Sequence, residues 1–301
     1  MIQAIIDIGS NTVRMAIYEI KGGNIDFIHK KKHMLGLASY LDNNVMTREG
    51  IDKLCVILEE FKDFLNIFSI ENLVAFATAA LRNCVNSKDA VAEISRRTGI
   101  DIRILSGDKE AEYDFVGATR NIDMPQGMLV DIGGGSTELV YYQDGEIKEK
   151  ISLHIGSLGL KREFCKSVLP NKDEVDKMYK KAEDVLGLAT GFSGIKCMVI
   201  CGIGGTFKGT TALYNALYTK DRQNKAVSSG KIEEMIRRFG STGKLSQNEA
   251  VILMKNIPDR INTIISGMVI ADVIVKKFGV NKVIYSDSGV REGFIYSEII
   301  K

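Results

Sequence analysis

Two short stretches of this chain carry the same pattern of residues that could do chemistry. Residues 5–19 read IIDIGSNTVRMAIYE and residues 129–143 read LVDIGGGSTELVYYQ. They align without a gap at an offset of 124 (131 minus 7), Asp7 on Asp131 and Gly9 on Gly133. Each has an apolar run, then Asp-Ile-Gly, then Gly or small polar residues, then a second apolar run, which predicts strand, tight turn, strand. Phosphate oxygens are densely anionic, and a turn of Gly and Ser aims backbone N–H donors at them with no bulky side chain in the way. Gly9, Ser10, Asn11 and Thr12 meet that need in the first copy, and Gly133, Gly134, Gly135, Ser136 and Thr137 in the second. Residues 202–205, GIGG, offer a third such turn. Asp7 and Asp131 stand at the entrances of the first two turns, hard oxygen ligands of the kind that hold Mg2+ beside phosphates. Two such turns facing each other would clamp a phosphate chain and its metal. One copy alone would read as a hairpin turn needing positive φ, with Asp as its cap. Two copies in matched register favour chemistry.

The elements around these turns predict an α/β protein made of two βββαβα-like halves. In the first half a third strand is expected over 25–34, after the Gly22-Gly23 turn. A helix over 47–66 follows, with Thr47 as N-cap and Ile51, Leu54, Leu58, Phe61 and Leu65 at helical spacing. Strands over 72–78 and 101–105 alternate with helices over 87–98 and 109–119. Residues 121–127, with Pro125, are the expected linker. The second half has its own third strand over 147–155, after Asp144-Gly145, then a charged helix over 172–186 and a strand over 197–201. Helices over 231–239, 247–255 and 261–277, a strand over 282–286 and a final helix over 291–300 complete it. The expected domains are 1–120 and 121–289. The C-terminal helix, about 290–301, is expected to pack back on the first domain, because Phe294, Ile295, Ile299 and Ile300 need a partner surface.

A length of 301 residues favours two domains over one core. With 45% hydrophobic and 26% charged residues the composition is that of an ordinary globular protein. A net charge of +2 gives no global field for nucleic acid. Local basic clusters remain, His29-Lys30-Lys31-Lys32-His33 above all, which read either as a solvated face or as a polyanion track. The five cysteines are scattered and form no CxxC pair, and three histidines do not make a zinc site. With an acid at position 7 and no membrane-length apolar run, a cytoplasmic protein with no membrane partner is expected.

Five motifs occur in order: DIGSNT at 7–12, ATAALRN at 77–83, SGDKEA at 106–111, DIGGGSTEL at 131–139 and SDSGVREG at 286–293. Together they resemble the exopolyphosphatase/guanosine pentaphosphate phosphatase family, in its short two-domain form, across nearly the whole chain. The resemblance implies two ribonuclease-H-like domains flanking a cleft, as in the acetate kinase, sugar kinase, heat-shock chaperone and actin superfamily. It implies Glu110 as the catalytic acid that orients or deprotonates water, where the residues alone would read an exposed first-turn helix acid. It implies that Glu138 shares water or metal positioning, and that Arg82 binds a terminal phosphate with its fork of donors. Inorganic polyphosphate or guanosine pentaphosphate would be the substrate and Mg2+ the cofactor, with a homodimer left open. One departure bears on substrate preference: many members carry arginine just before the Leu-Gly that here follows His33-Met34. A phosphotransferase of the same superfamily, or a non-catalytic nucleotide or alarmone sensor, are the alternatives. ADP as acceptor would mark the first, and loss of Glu110 or Glu138 the second.

Overall fold

The computed structural model describes residues 1–120, 124–219, 221–241 and 244–300. The expected linker at 121–127 therefore lies partly outside the described residues. In the first half, β1 (Ile2–Ile8), β2 (Val13–Lys21) and β3 (Asn24–His33) form an antiparallel meander. Helix α1 (Arg48–Ile67) then leads to β4 (Leu73–Ala77), α2 (Ser87–Thr98) to β5 (Ile102–Ile104), and α3 (Gly107–Thr119) closes the half. Both later strands run parallel to β1, giving the order β3-β2-β1-β4-β5. Thr47 caps α1 as expected, its side chain accepting from Gly50 N.

The second half repeats the plan. Strands β6 (Gln126–Ile132), β7 (Thr137–Gln143) and β8 (Glu146–Leu153) are the meander, followed by α4 (Ser157–Phe164) and α5 (Lys172–Gly187). Next come β9 (Val199–Ile203), α6 (Gly204–Tyr218), β10 (Ala226–Ser228), α7 (Ser229–Phe239), α8 (Gln247–Asn256), α9 (Ile264–Phe278), β11 (Lys282–Tyr285) and α10 (Val290–Phe294). The sheet order is β8-β7-β6-β9-β11-β10, the first half's order with one antiparallel edge strand added. Three elements escape the hydrophobic period. Helix α4 spans eight residues and β10 three, too short for a period to register. Helix α6 buries Thr206, Thr210, Thr211 and Asn215 beside Phe207 and Leu213, so its buried face does not read as an apolar stripe.

The chain divides into two compact units, residues 1–110 with 298–301, and residues 111–297. The division falls inside α3, where the sequence reading put it at 120/121. The reason is a close helix crossing within the second unit. A Cβ at Gly117 would overlap the carbonyl oxygen of Gly289, and one at Gly293 would overlap the backbone of Tyr113. Phe294 adds an edge-on ring contact to Tyr113 at 5.5 Å. These contacts join residues 289–294 to α3 beyond Glu110 within the second unit.

Helix α9 is the spine of the second unit, with all but two of its 15 residues buried. It reaches the functional end of the sheet through two small residues. Ser266 Oγ donates to the Ser157 carbonyl at 2.6 Å, and Gly267 leaves room for Thr206, whose methyl a Cβ would meet at 2.6 Å. Among the described residues no helix is long and apolar enough to cross a membrane. Gly267→Ala is expected to lower unfolding free energy by about 2 kcal/mol through overpacking. Chemical denaturation should show a lower midpoint at unchanged m value.

Candidate active site

Each Asp-Ile-Gly turn is gripped from behind by its carbonyl groups. In the first, Gly36 N donates to Asn11 O and Ala38 N to Ser10 O, both at 2.9 Å. In the second, Ser157 N donates to Gly133 O at 2.9 Å, and Leu158 N and Gly159 N both donate to Gly134 O at 3.0 Å. A trans peptide points its N–H opposite to its C=O. The N–H groups of Asn11 and Thr12, and of Gly134 and Gly135, therefore point away from these anchors, which is the presentation an anion needs. Gly36 anchors its turn from a left-handed conformation (φ 63°). Gly156 lies so close that a Cβ there would overlap the Gly134–Gly135 peptide. Within each turn the first glycine closes the loop, Gly9 N on Thr12 O and Gly133 N on Ser136 O, both at 3.0 Å.

The expected phosphate residues do not all present side chains. Ser10, Thr12, Ser136 and Thr137 are buried. The Thr137 side chain is fully buried and its hydroxyl donates to Ile155 O at 2.7 Å, which anchors the turn. Thr12 Oγ1 lies 3.4 Å from Met34 Sδ.

Arg82 and Glu110 come together. Arg82 sits on the helical turn Ala79–Arg82 directly after β4, and Glu110 in the first turn of α3 after β5. Arg82 Nη1 donates to Glu110 Oε2 at 2.6 Å and to Leu105 O at 3.1 Å. Glu110 is 7% exposed, which overturns the reading of a solvated helix acid. Thr78 N bonds Ile8 O, so this pair stands at the same strand ends as the 9–12 turn. Ligands of open α/β sheets bind at such carboxyl ends.

The two copies reverse charge at one position. Asp7 is opposite Arg14 on β2, with Arg14 Nη1 3.6 Å from Asp7 Oδ2. The position of Arg14 plus 124 is Glu138, and Glu138 is opposite Asp131 on β7. Glu138 is 1% exposed and accepts a 2.8 Å hydrogen bond from Ser152 Oγ. Two carboxylates directly opposite on neighbouring strands repel each other, and a cation relieves that. Asp7 already has a cation beside it. Among the described residues no group of three or more His, Cys, Asp or Glu side chains is gathered for a metal, so a bound ion would keep water ligands, as Mg2+ ordinarily does.

The third glycine turn serves Asp131. Gly204 has φ 78°, and a Cβ there would overlap Asp131 Oδ1, so the carboxylate lies directly on the start of α6. The Arg260 guanidinium lies flat on the next residue, Gly205, where any Cβ would collide with it. Behind them, burial first and then the Asp114 and Asp131 charges push the Cys201 thiol up to about 12, which keeps it a core thiol. All five cysteines are free and buried. Arg14 and Arg260 were missed from sequence. Arg14 was visible as the one charge reversal in the repeat; Arg260 had only a lone arginine after Pro258 as its signal.

The chain matches the Ppx/GppA phosphatase family over residues 16–301. A relative from Haemophilus influenzae is 25% identical over 98% of this chain and 90% of its own length. Exopolyphosphatase 1 of Mycobacterium tuberculosis is 31% identical over 57% of this chain and 51% of its own. A bifunctional 3-dehydroquinate synthase/phosphatase of Fusobacterium nucleatum is 28% identical over 95% of this chain and 45% of its own. The chain thus spans about half the length of these last two relatives. The crystal structure of the Aquifex aeolicus member of the family superposes with a TM-score of 0.78 at 27% identity, covering 100% of this chain and 98% of that one. With its duplicated sheet, its two Asp-Ile-Gly turns and a family match across 286 residues (301 − 16 + 1), this chain belongs to the Ppx/GppA phosphatase family of phosphohydrolases, in the actin-like ATPase superfamily.

Proposed function

We propose that this phosphohydrolase is magnesium-dependent and releases the terminal phosphate of inorganic polyphosphate. The Arg82–Glu110 contact carries the reading, because it puts a phosphate-binding guanidinium and a water-activating carboxylate in one hydrogen bond beside a phosphate-type turn. The relative from Mycobacterium tuberculosis named exopolyphosphatase supports the substrate class. Guanosine pentaphosphate is a second candidate substrate, resting on the family resemblance alone.

In this mechanism the N–H groups of Asn11 and Thr12 hold phosphate oxygens beside Arg82, and the turn of the second unit offers those of Gly134 and Gly135 for the same purpose. Arg82 turns its fork from Glu110 to the terminal phosphate, where two parallel bonds favour the developing charge. The freed Glu110 carboxylate orients a water and accepts its proton as the water oxygen bonds to phosphorus. The anhydride P–O bond on the far side breaks and its electrons stay with the shortened chain. Asp131 and Glu138 would hold Mg2+, and their like charges fit that role better than the Asp7–Arg14 pair. Bound there, the ion would offset the charge of phosphate oxygens held at the turn of the second unit. Asp7 then acts through Arg14, holding the guanidinium at the turn.

Glu110→Gln should lower kcat by about 10²–10⁴-fold with KM nearly unchanged, since it removes a group needed mainly in the transition state. Arg82→Ala should lower kcat and also raise KM, because it grips ground-state phosphate as well. Steady-state kinetics of phosphate release separate the two, and a fully active Glu110→Gln would remove Glu110 from the reaction. Glu138→Gln should weaken divalent-ion affinity by roughly 10–100-fold, read by calorimetry with Mg2+ or by Mn2+ resonance, while Asp7→Asn should affect it far less. Equal loss of affinity in both variants would remove the preference for Glu138 over Asp7 as an ion ligand. Phosphate release from polyphosphate and from guanosine pentaphosphate, measured side by side, decides the substrate.

A further inference from the structure

The run His29-Lys30-Lys31-Lys32-His33 lies on β3, and the pleat deals its side chains to opposite faces of the sheet. Lys31 goes to the α1 face. It pairs with Glu60 and lies 5.7 Å from the Phe64 ring centroid, with His29 stacked on Phe64 at 5.2 Å and His33 Nε2 3.1 Å from Glu60. The Lys31 ammonium holds the Glu60 carboxyl below its ordinary range. Lys30 and Lys32 therefore take the other face, and both are exposed.

Strand register makes that face the functional one. Lys32 is opposite Arg14, which is opposite Asp7. Lys30 is opposite Ala16, one step further along the same face, with no bulk between the two lysines. Its Nζ lies 6.0 Å from the Phe27 ring centroid, toward the far end of the strand. Across the sheet, Arg82 follows β4, Asp7 is the last residue but one of β1, Arg14 the second of β2 and Lys32 the last but one of β3, and these strands are neighbours in that order. At about 4.8 Å per strand the row spans roughly 14 Å, and the step from Lys32 to Lys30 adds about 7 Å along β3. A single phosphate cannot use such a row, whereas a linear chain of them can.

We propose that Lys32 and Lys30 extend the phosphate site of the first unit into a lane for the distal part of a polyphosphate chain. The inference rests on the polyphosphate reading above and adds chain-length selectivity to it. The competing role for these lysines is to guard the exposed edge of β3 against pairing with other strands. Guarding an edge affects self-association and leaves kinetics untouched.

The test compares wild type, the double variant Lys30→Gln/Lys32→Gln and the control Lys31→Gln on tripolyphosphate and on long-chain polyphosphate. The measured quantity is the ratio of kcat/KM for long over short chains, at low and high salt. Wild type should favour long chains, and that preference should shrink as salt screens the lysines. Two screened ion pairs are worth up to about tenfold together, so the ratio should fall by about that factor in the double variant and lose its salt dependence. Lys31→Gln should keep the wild-type ratio. An unchanged ratio in the double variant, or a wild type indifferent to chain length, overturns the lane and leaves the polyphosphate reading intact. Unchanged kinetics with new self-association in sedimentation assigns the lysines to edge protection and likewise overturns it. A wild type inert on both chain lengths overturns the polyphosphate reading and the lane with it.

Discussion

Everything this protein can do with phosphate depends on which way a few peptide groups point. A Gly-rich turn is useful only if its carbonyl oxygens are tied away from the ligand, because an oxygen facing a phosphate repels it. Here the segment after each third strand supplies that tie: residues 36–38 hold the first turn and residues 156–159 the second. The same device, used twice, accounts for the glycines at 36 and 156. One adopts a left-handed conformation, and the other lets its backbone touch the turn it supports.

On this shared frame the two halves have diverged by charge. The strand position that follows the turn carries Arg14 in one copy and Glu138 in the other, each opposite its aspartate. Opposite charges facing each other across strands attract, and like charges repel. One exchange of residue type therefore leaves the first copy with an Asp–Arg pair and the second with an Asp–Glu pair. The basic row in the first half, from Arg82 through Arg14 to Lys32, and the acidic pair in the second follow from it.

Packing at the second turn leaves almost no slack. Ser266 and Gly267 on α9, Thr206 on α6 and Ser157 on α4 meet behind the Gly133–Gly135 peptides, and Thr206 Oγ1 reaches the Ile132 carbonyl at 2.9 Å. Close-packed interiors transmit such displacements instead of absorbing them. A methyl group at Gly267 or Gly156 thus acts on the phosphate turn without touching substrate.

The sequence by itself determined the duplication, the strand–turn–strand units, the order of the main helices and strands, and the family. These rest on local rules: the apolar period, turn chemistry at Asp-Ile-Gly, and motif spacing. Tertiary structure decided the rest. It put Arg82 on Glu110, 28 residues away, and buried an acid whose position alone suggested a solvated helix start. It turned Thr137 inward, its hydroxyl on the Ile155 carbonyl. It sent Lys31 to Glu60 and left Lys30 and Lys32 on the face of Arg14. Strand register and long-range contacts set each of these outcomes. A linear reading sees the residue type and its near neighbours, but not what lies opposite it on the next strand.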